Sequence, residues 1–369
     1  MNHRTFFSSL CLILASAAYG LQPAAVQGTP ATQPALGTHN GVVRGTPATQ
    51  SVTLTFLHIN DSHGRIMPYG PDGQTGGYAR LATLIARQRS AGNSVRTFLV
   101  HAGDVTSRGD ALSMRRHGIA DILLMNQMGF DVMTPGNGEF YMGLPMLGTL
   151  ASHAKFPMLT GNLTVKSGQC LARPYVIDRA GPVRVAFFGL CTVKENPQTR
   201  QQIDVAGNVE TARKLVPLLR KQADVVVAVT HIGTWGDMGL AAGAGGIDLI
   251  IGGHDHNRMD HGTRTKGPGG RDVLIVQAGE YVQNLGRVDM EMHQDDQGRW
   301  QIASTTAQLI KIDNTIPEDP AMNAAIARIA AADWKPPAPV NPAAMQPTTR
   351  PASRPTSRPV TRPVLMGSN

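Results

Sequence analysis

The chain has 369 residues and 41% hydrophobic content, enough for one large buried core, while its 40 glycines and 25 prolines gather in loops and toward both ends. Its formal charge of +8 invites a nucleic-acid reading, but four of the arginines lie in a C-terminal tail without interleaved aromatics to stack bases. The charge therefore belongs to the tail, and nucleic acid is excluded as the expected partner.

In chain order, residues 1–20 combine an early Arg4, an apolar run from Leu10 to Ala15 and then small residues, the layout of a secretory signal peptide. The apolar run is too short to cross a bilayer, so the expectation is an exported chain in the periplasm, at the cell surface or in the medium, with no transmembrane span. Residues 21–50 carry the hexapeptide GTPATQ twice and read as a low-complexity linker. Strand-like segments at residues 52–59, 96–100, 131–134, 183–190, 224–229, 249–251 and 273–278 alternate with helix-like ones at 77–89, 111–128 and 208–222. That alternation predicts an α/β layered domain with buried sheets over residues 51–313. A short helical extension follows at 314–334. Residues 335–369 are a Pro/Arg-rich tail (TRPASRPTSRPVTRPV) that favours extended polyproline, cannot build a core, and could contact the cell surface or a partner. Once the leader is removed, two cysteines remain, Cys170 and Cys191. Spacing leaves open whether they form a disulfide or Cys191 is a buried thiol.

The chemistry sits just past the strands. Asp61 and His63 follow the first, Asp104 the second, Asn137 the third, and His231, His254 and His256 follow later ones. The carboxyl ends of strands are where α/β folds place binding crevices. Mixed carboxylate, amide and imidazole donors suit Zn, Mn or Fe better than an all-oxygen Mg or Ca cage. Seven donors are too many for one open metal site. Two divalent ions need a bridging carboxylate, and Asp104 in its tight Ala102-Gly103-Asp104 loop is the candidate; a hydroxide shared by the ions would attack phosphorus in line. Each residue also has an ordinary reading: Asp61 and Asp104 suit caps or turns, Asn137 suits a turn between two glycines, and a lone histidine usually binds no metal. Their joint occurrence in this order favours the metal reading.

Five pieces in sequence carry a family resemblance: residues 58–65 (HINDSHGR), Ala102-Gly103-Asp104, residues 136–140 (GNGEF), Thr230-His231 with residues 253–256 (GHDH), and residues 277–281 (QAGEY). Together they resemble the N-terminal catalytic domain of the 5'-nucleotidase family of calcineurin-like metallophosphoesterases. The resemblance implies a single catalytic domain folded as a four-layer αββα sandwich with two mixed sheets, acting as a phosphoester hydrolase on a small phosphorylated substrate such as a nucleotide. It also implies that Asp61, His63 and His256 hold one metal, that Asn137, His231 and His254 hold the second, and that Asp104 bridges. Glu139 is expected to support the site by orienting a histidine, while Arg65 and Asn162 are expected to reach the substrate.

Two departures qualify the resemblance. The family normally reads Gly-Asn-His-Glu-Phe-Asp, with a His-Asp dyad beside the phosphate; here those positions are Gly138 and Tyr141. Losing a positioned acid costs about 10²–10⁴ in rate on poor leaving groups. Thiosulfohydrolases of sulfur oxidation resemble the same family and also lack the dyad, although they carry a histidine where this chain keeps Asn137. A sulfur-ester hydrolase with the same metals, and a non-catalytic metal-binding surface protein, are therefore the alternatives. The second departure is that nothing after about residue 313 reads as the aromatic clamp for a nucleoside base.

Overall fold

The computed structural model describes residues 50–166, 171–193, 197–333 and 335. The leader, almost all of the GTPATQ linker, the Arg-Pro tail and Cys170 lie outside the described residues, and with them the expected export signal and disulfide.

Two sheets form the centre. The first has strand order β13-β12-β1-β2-β3. It is built from β1 (Ser51–Ile59), β2 (Arg96–His101), β3 (Val132–Met133), β12 (Asn284–Gln294) and β13 (Trp300–Lys311). Its β1-β2-β3 pairs are parallel, whereas β12 runs antiparallel to both β1 and β13. The second has order β10-β11-β9-β8-β6-β5. Its members are β5 (Tyr175–Ala180), β6 (Val183–Cys191), β8 (Val225–His231), β9 (Leu249–Ile251), β10 (Thr263–Lys266) and β11 (Asp272–Val276). Strands β6, β8, β9 and β11 are parallel, with an antiparallel strand at each edge. A small ribbon pairs β4 (Leu163–Val165) with β7 (Ile203–Val205). The expected mixed sheets are present.

The alternation of side chains along each strand decides the layering. On β1 and β2, Leu54, Phe56, Phe98 and Val100 face the second sheet, where Phe187, Val227 and Ile251 meet them. Phe56 and Phe98 stack at 5.5 Å, and Phe187 meets Phe98 edge-on at 5.1 Å. The opposite faces of the same strands, Leu57, Ile59 and Leu99, bury against α1 (Tyr78–Ser90), α3 (Ile119–Met128), α4 (Leu144–His153) and α8 (Pro320–Ala331). On the far side of the second sheet, Phe188, Val226 and Ile250 bury against α6 (Asn208–Arg220) and α7 (Gly233–Gly243). Three cores between four layers make the αββα sandwich. Helix α8 contributes Met322, Ala325 and Ile326 to the first of these cores.

One expected helix is broken. Residues 111–128 divide into α2 (Ala111–Arg115) and α3, because His117 and Gly118 adopt left-handed φ values of 52° and 78°. Gly118 lies so close to Thr106 that an added Cβ would stand 2.1 Å from its Cγ2, so only glycine fits at the break. Helix α5 (Pro197–Arg200) is a single turn. Among the described residues no helix is long and apolar enough to cross a membrane.

Candidate metal centre

The expected ligands stand at the carboxyl ends of strands from both sheets. Asp61 and His63 follow β1, Asp104 follows β2, Asn137 follows β3, His231 ends β8, and His254 and His256 follow β9. Backbone bonds bind the first two loops together: Asp61 N donates to Gly103 O and His63 N to Asp104 O, each at 2.9 Å. Five of the seven residues hold positive φ: Asp61 49°, His63 47°, Asp104 54°, His254 95° and His256 59°. Gly103 must be glycine, because its φ is 89° and a Cβ there would stand 2.5 Å from His231 Nδ1.

Six of the side chains converge on two overlapping triads or their edge. Asp61, His63 and His256 form one triad, and Asp61, Asp104 and His231 form the other. Asp61 Oδ1 lies 3.4 Å from His256 Nε2, 3.8 Å from His63 Nε2 and 3.9 Å from His231 Nε2. Asp104 turns one oxygen to each half, with Oδ1 3.4 Å from His231 Nε2 and Oδ2 3.8 Å from His63 Nε2. His254 packs edge-on against His231 at 5.2 Å and meets the seventh candidate, Asn137 Oδ1, through Nδ1 at 2.9 Å.

Outer partners fix which nitrogen of each ring faces inward. His231 Nδ1 donates to Ala102 O at 2.7 Å, so Nε2 aims at the two carboxylates. His256 Nδ1 contacts Glu280 Oε2 at 2.7 Å, leaving its Nε2 beside His63 Nε2 at 3.1 Å. His63 Nε2 accepts from Arg108 Nη2 at 3.0 Å, because a guanidinium can only donate, and its Nδ1 therefore faces Thr106 O and Ser107 Oγ as a donor.

Electrostatics say what this cage wants. Asp61 Oδ1 and His231 Nε2 are buried and have no hydrogen-bond partner among the described residues. Burial pushes Asp104 up, yet His231 and His63 beside it hold its carboxyl well below the usual carboxylate range. Burial likewise pushes His231 down, but Asp104 and Asp61 outweigh it and raise the imidazole to about 10. Converging carboxylates thus call for positive charge at the centre, and oxygen and imidazole donors fit divalent cations there.

The sequence model of the family described as calcineurin-like phosphoesterase matches residues 54–258, from β1 through the loop that carries His254 and His256. The chain belongs to the calcineurin-like phosphoesterase family. It is 32% identical over 272 residues to a 5'-nucleotidase of Vibrio cholerae, covering 64% of this chain and 48% of that protein. It is 30% identical over 305 residues to the trifunctional nucleotide phosphoesterase protein YfkN of Bacillus subtilis, covering 72% of this chain and 20% of that one. The chain therefore spans half or less of the length of these relatives. Among solved structures, the 5'-nucleotidase precursor from Thermus thermophilus matches with a TM-score of 0.65 and 27% identity, over 75% of this chain and 58% of that one. Calcineurin-like phosphoesterases use divalent metals, and the two triads are this member's candidate ligands.

The remaining expectations divide. The buried Glu139 carboxylate accepts from Asp104 N at 3.0 Å, Thr106 N at 2.9 Å and Gly136 N at 2.7 Å, tying the Asp104 loop to the Asn137 loop. These bonds anchor backbone, and the expected histidine contact is not among its hydrogen bonds in the described residues. Asn162 is not brought to the centre: its amide gives to Cys191 O at 2.8 Å and takes from Cys191 N at 3.0 Å. Arg65 lies between Tyr69 and Tyr281, 5.2 Å from each ring centroid, and Tyr281 in turn packs 5.7 Å from His63. The guanidinium that reaches the cluster itself is Arg108, which no motif singled out. Glu280 and Tyr281 were visible inside the fifth motif without a role; Arg108 carried no signal at all.

Proposed function

We propose that this domain hydrolyses phosphoesters, phosphomonoesters foremost, using two divalent cations of the Zn, Mn or Fe kind. The supporting observation is the Asp104 carboxylate, whose two oxygens face different histidines on the two sides of the cluster. In this reading Asp61, His63 and His256 would hold one cation, Asn137, His231 and His254 would hold the other, and Asp104 would be shared between them. Cations held there would supply a water of lowered pKa and would neutralise charge gathering on the phosphoryl oxygens. The chain's own groups do the rest. Ala102 O and the Glu280 carboxylate orient His231 and His256, Glu139 holds the Asp104 loop in register, and Arg108 offers a guanidinium to a phosphoryl oxygen. The relatives' names point to nucleotides as the substrate class, and the N-terminal leader to an exported site of action.

A chelator should abolish hydrolysis of 4-nitrophenyl phosphate, and Asp104→Ala should lose most of its bound metal by elemental analysis. Full activity in that variant would refute the shared carboxylate. A second reading rests on Gly138, where the family's histidine is replaced: a sulfur-ester hydrolase expels a thiolate or sulfur oxyanion that needs no proton, so the missing acid would cost it little. Turnover of an S-sulfonated thiol in preference to any phosphate ester would favour it.

A further inference from the structure

A cleft of about 90 Å³ opens at Gly138, lined by Ser107, Met114, His117, Tyr141 and Met142. It adjoins the metal centre directly: Gly138 N donates to Asp104 Oδ1 at 2.6 Å, and Ser107 Oγ lies 3.2 Å from His63 Nδ1. A Cβ at position 138 would stand 2.9 Å from Asp104 Oδ1 and 3.0 Å from Ser107 Oγ, so the glycine keeps the cleft joined to the centre. Its walls leave large apolar groups in water: Met114 is 49% exposed, Tyr141 52% and Met142 40%. Three such side chains on one cleft mark a binding surface rather than scattered surface residues. Ser107 and His117 both hold left-handed φ, 88° and 52°. Such strain, on the order of 1–3 kcal/mol per residue, persists where a site requires it.

We infer that this cleft is the leaving-group subsite, that it takes an apolar or aromatic alcohol, and that His117 donates the proton to the departing oxygen. The inference rests on the phosphoester reading above. In the step, a water oxygen bonds to phosphorus as the P–O bond to the alcohol breaks, and the electron pair of that bond stays on the alcohol oxygen. The proton carried by the His117 imidazolium joins that oxygen to give the free alcohol; the attacking water's proton passes to solvent, from which His117 is reprotonated. The cleft's apolar walls then hold the organic part of the ester while the phosphoryl group faces Asp104 and Asn137.

The test uses His117→Asn, because asparagine tolerates a φ of 52° and keeps the α2–α3 break. Wild-type protein should favour benzyl phosphate over glycerol phosphate by roughly tenfold in kcat/KM. The variant should keep its metal content and remain within about threefold of wild type on 4-nitrophenyl phosphate, whose leaving group needs no proton, yet lose on the order of 10²-fold on benzyl phosphate. Equal losses on both esters, or no loss on either, would overturn the donor. Absence of any benzyl preference would overturn the apolar subsite. A wild type inactive on every phosphate ester would instead overturn the phosphoester reading, and this assignment with it.

Discussion

Left-handed backbone at Asp61, His63, Asp104, His254 and His256 is an expensive way to hold five side chains, and close backbone packing is what maintains it. Gly103 is the tightest point, since the imidazole of His231 and the amide of Gly136 both approach where a Cβ would stand, at 2.5 and 2.7 Å. Gly103→Ala should displace His231 by an appreciable fraction of an ångström. Bound metal should then fall, and activity should drop by about 10²-fold, the scale expected for a 1 Å misplacement; elemental analysis beside a phosphatase assay checks both. The candidate ligands were legible because carboxylates, an amide and imidazoles stand just past apolar strands. Asn162 shows the limit of that signal: a strand-end asparagine whose amide serves a neighbouring strand looks the same in sequence as one that faces a substrate. Arg108 shows the converse, since its guanidinium reaches His63 only through the path of a loop that residue types do not encode.

Among the elements, the aromatic contact between sheets is the most sensitive. Phe56, Phe98 and Phe187 are almost wholly buried and in mutual contact. Phe187→Ala should cost about 3–5 kcal/mol, read from denaturant unfolding, because the facing sheets cannot close over the void. Strands with continuous apolar runs, such as β8, were readable as buried parallel strands. The β12–β13 pair was not assigned. On β12 the inward Val288, Met290 and Met292 alternate with Arg287, Asp289 and Glu291, a period-two pattern that is present but interrupted by Gly286 and diluted by charge. Strand β13 is an edge strand with no fully buried position, so hydrophobic patterning cannot reveal it. The α2–α3 break was hidden for a different reason: its Gly118 packs against Thr106, a contact across sequence that the helical pattern of 111–128 does not record.

At the scale of the whole molecule, layering followed from alternation, and the order of strands within each sheet did not, because pairing partners such as β1 and β12 are separated by most of the domain. Stability of the entire fold also carries a pH signature. Asp121 is buried, and that burial foremost raises its carboxyl to about 7, with Ser113 as its hydrogen-bond partner at 2.5 Å. The folded state therefore binds a proton that the unfolded state releases above the ordinary carboxyl value of 3.8. This contribution is fully present below pH 3.8 and is lost as pH rises to about 7. Asp121→Asn should remove that loss, so its melting temperature relative to wild type should climb across this window and stay higher at pH 8; parallel thermal scans decide it.

Donors for the proposed cations come from both sheets, with Asp61, His63, Asp104 and Asn137 supplied by the first and His231, His254 and His256 by the second. A cation pair seated there would act as a rivet between the two halves of the sandwich. Ligand that binds only the folded chain adds about 4 kcal/mol at a thousandfold excess over Kd, so stripping the ions should lower the melting temperature and expose the strand ends to proteases. Scarcity of metal in the surroundings would then shorten the lifetime of the protein as well as silence it.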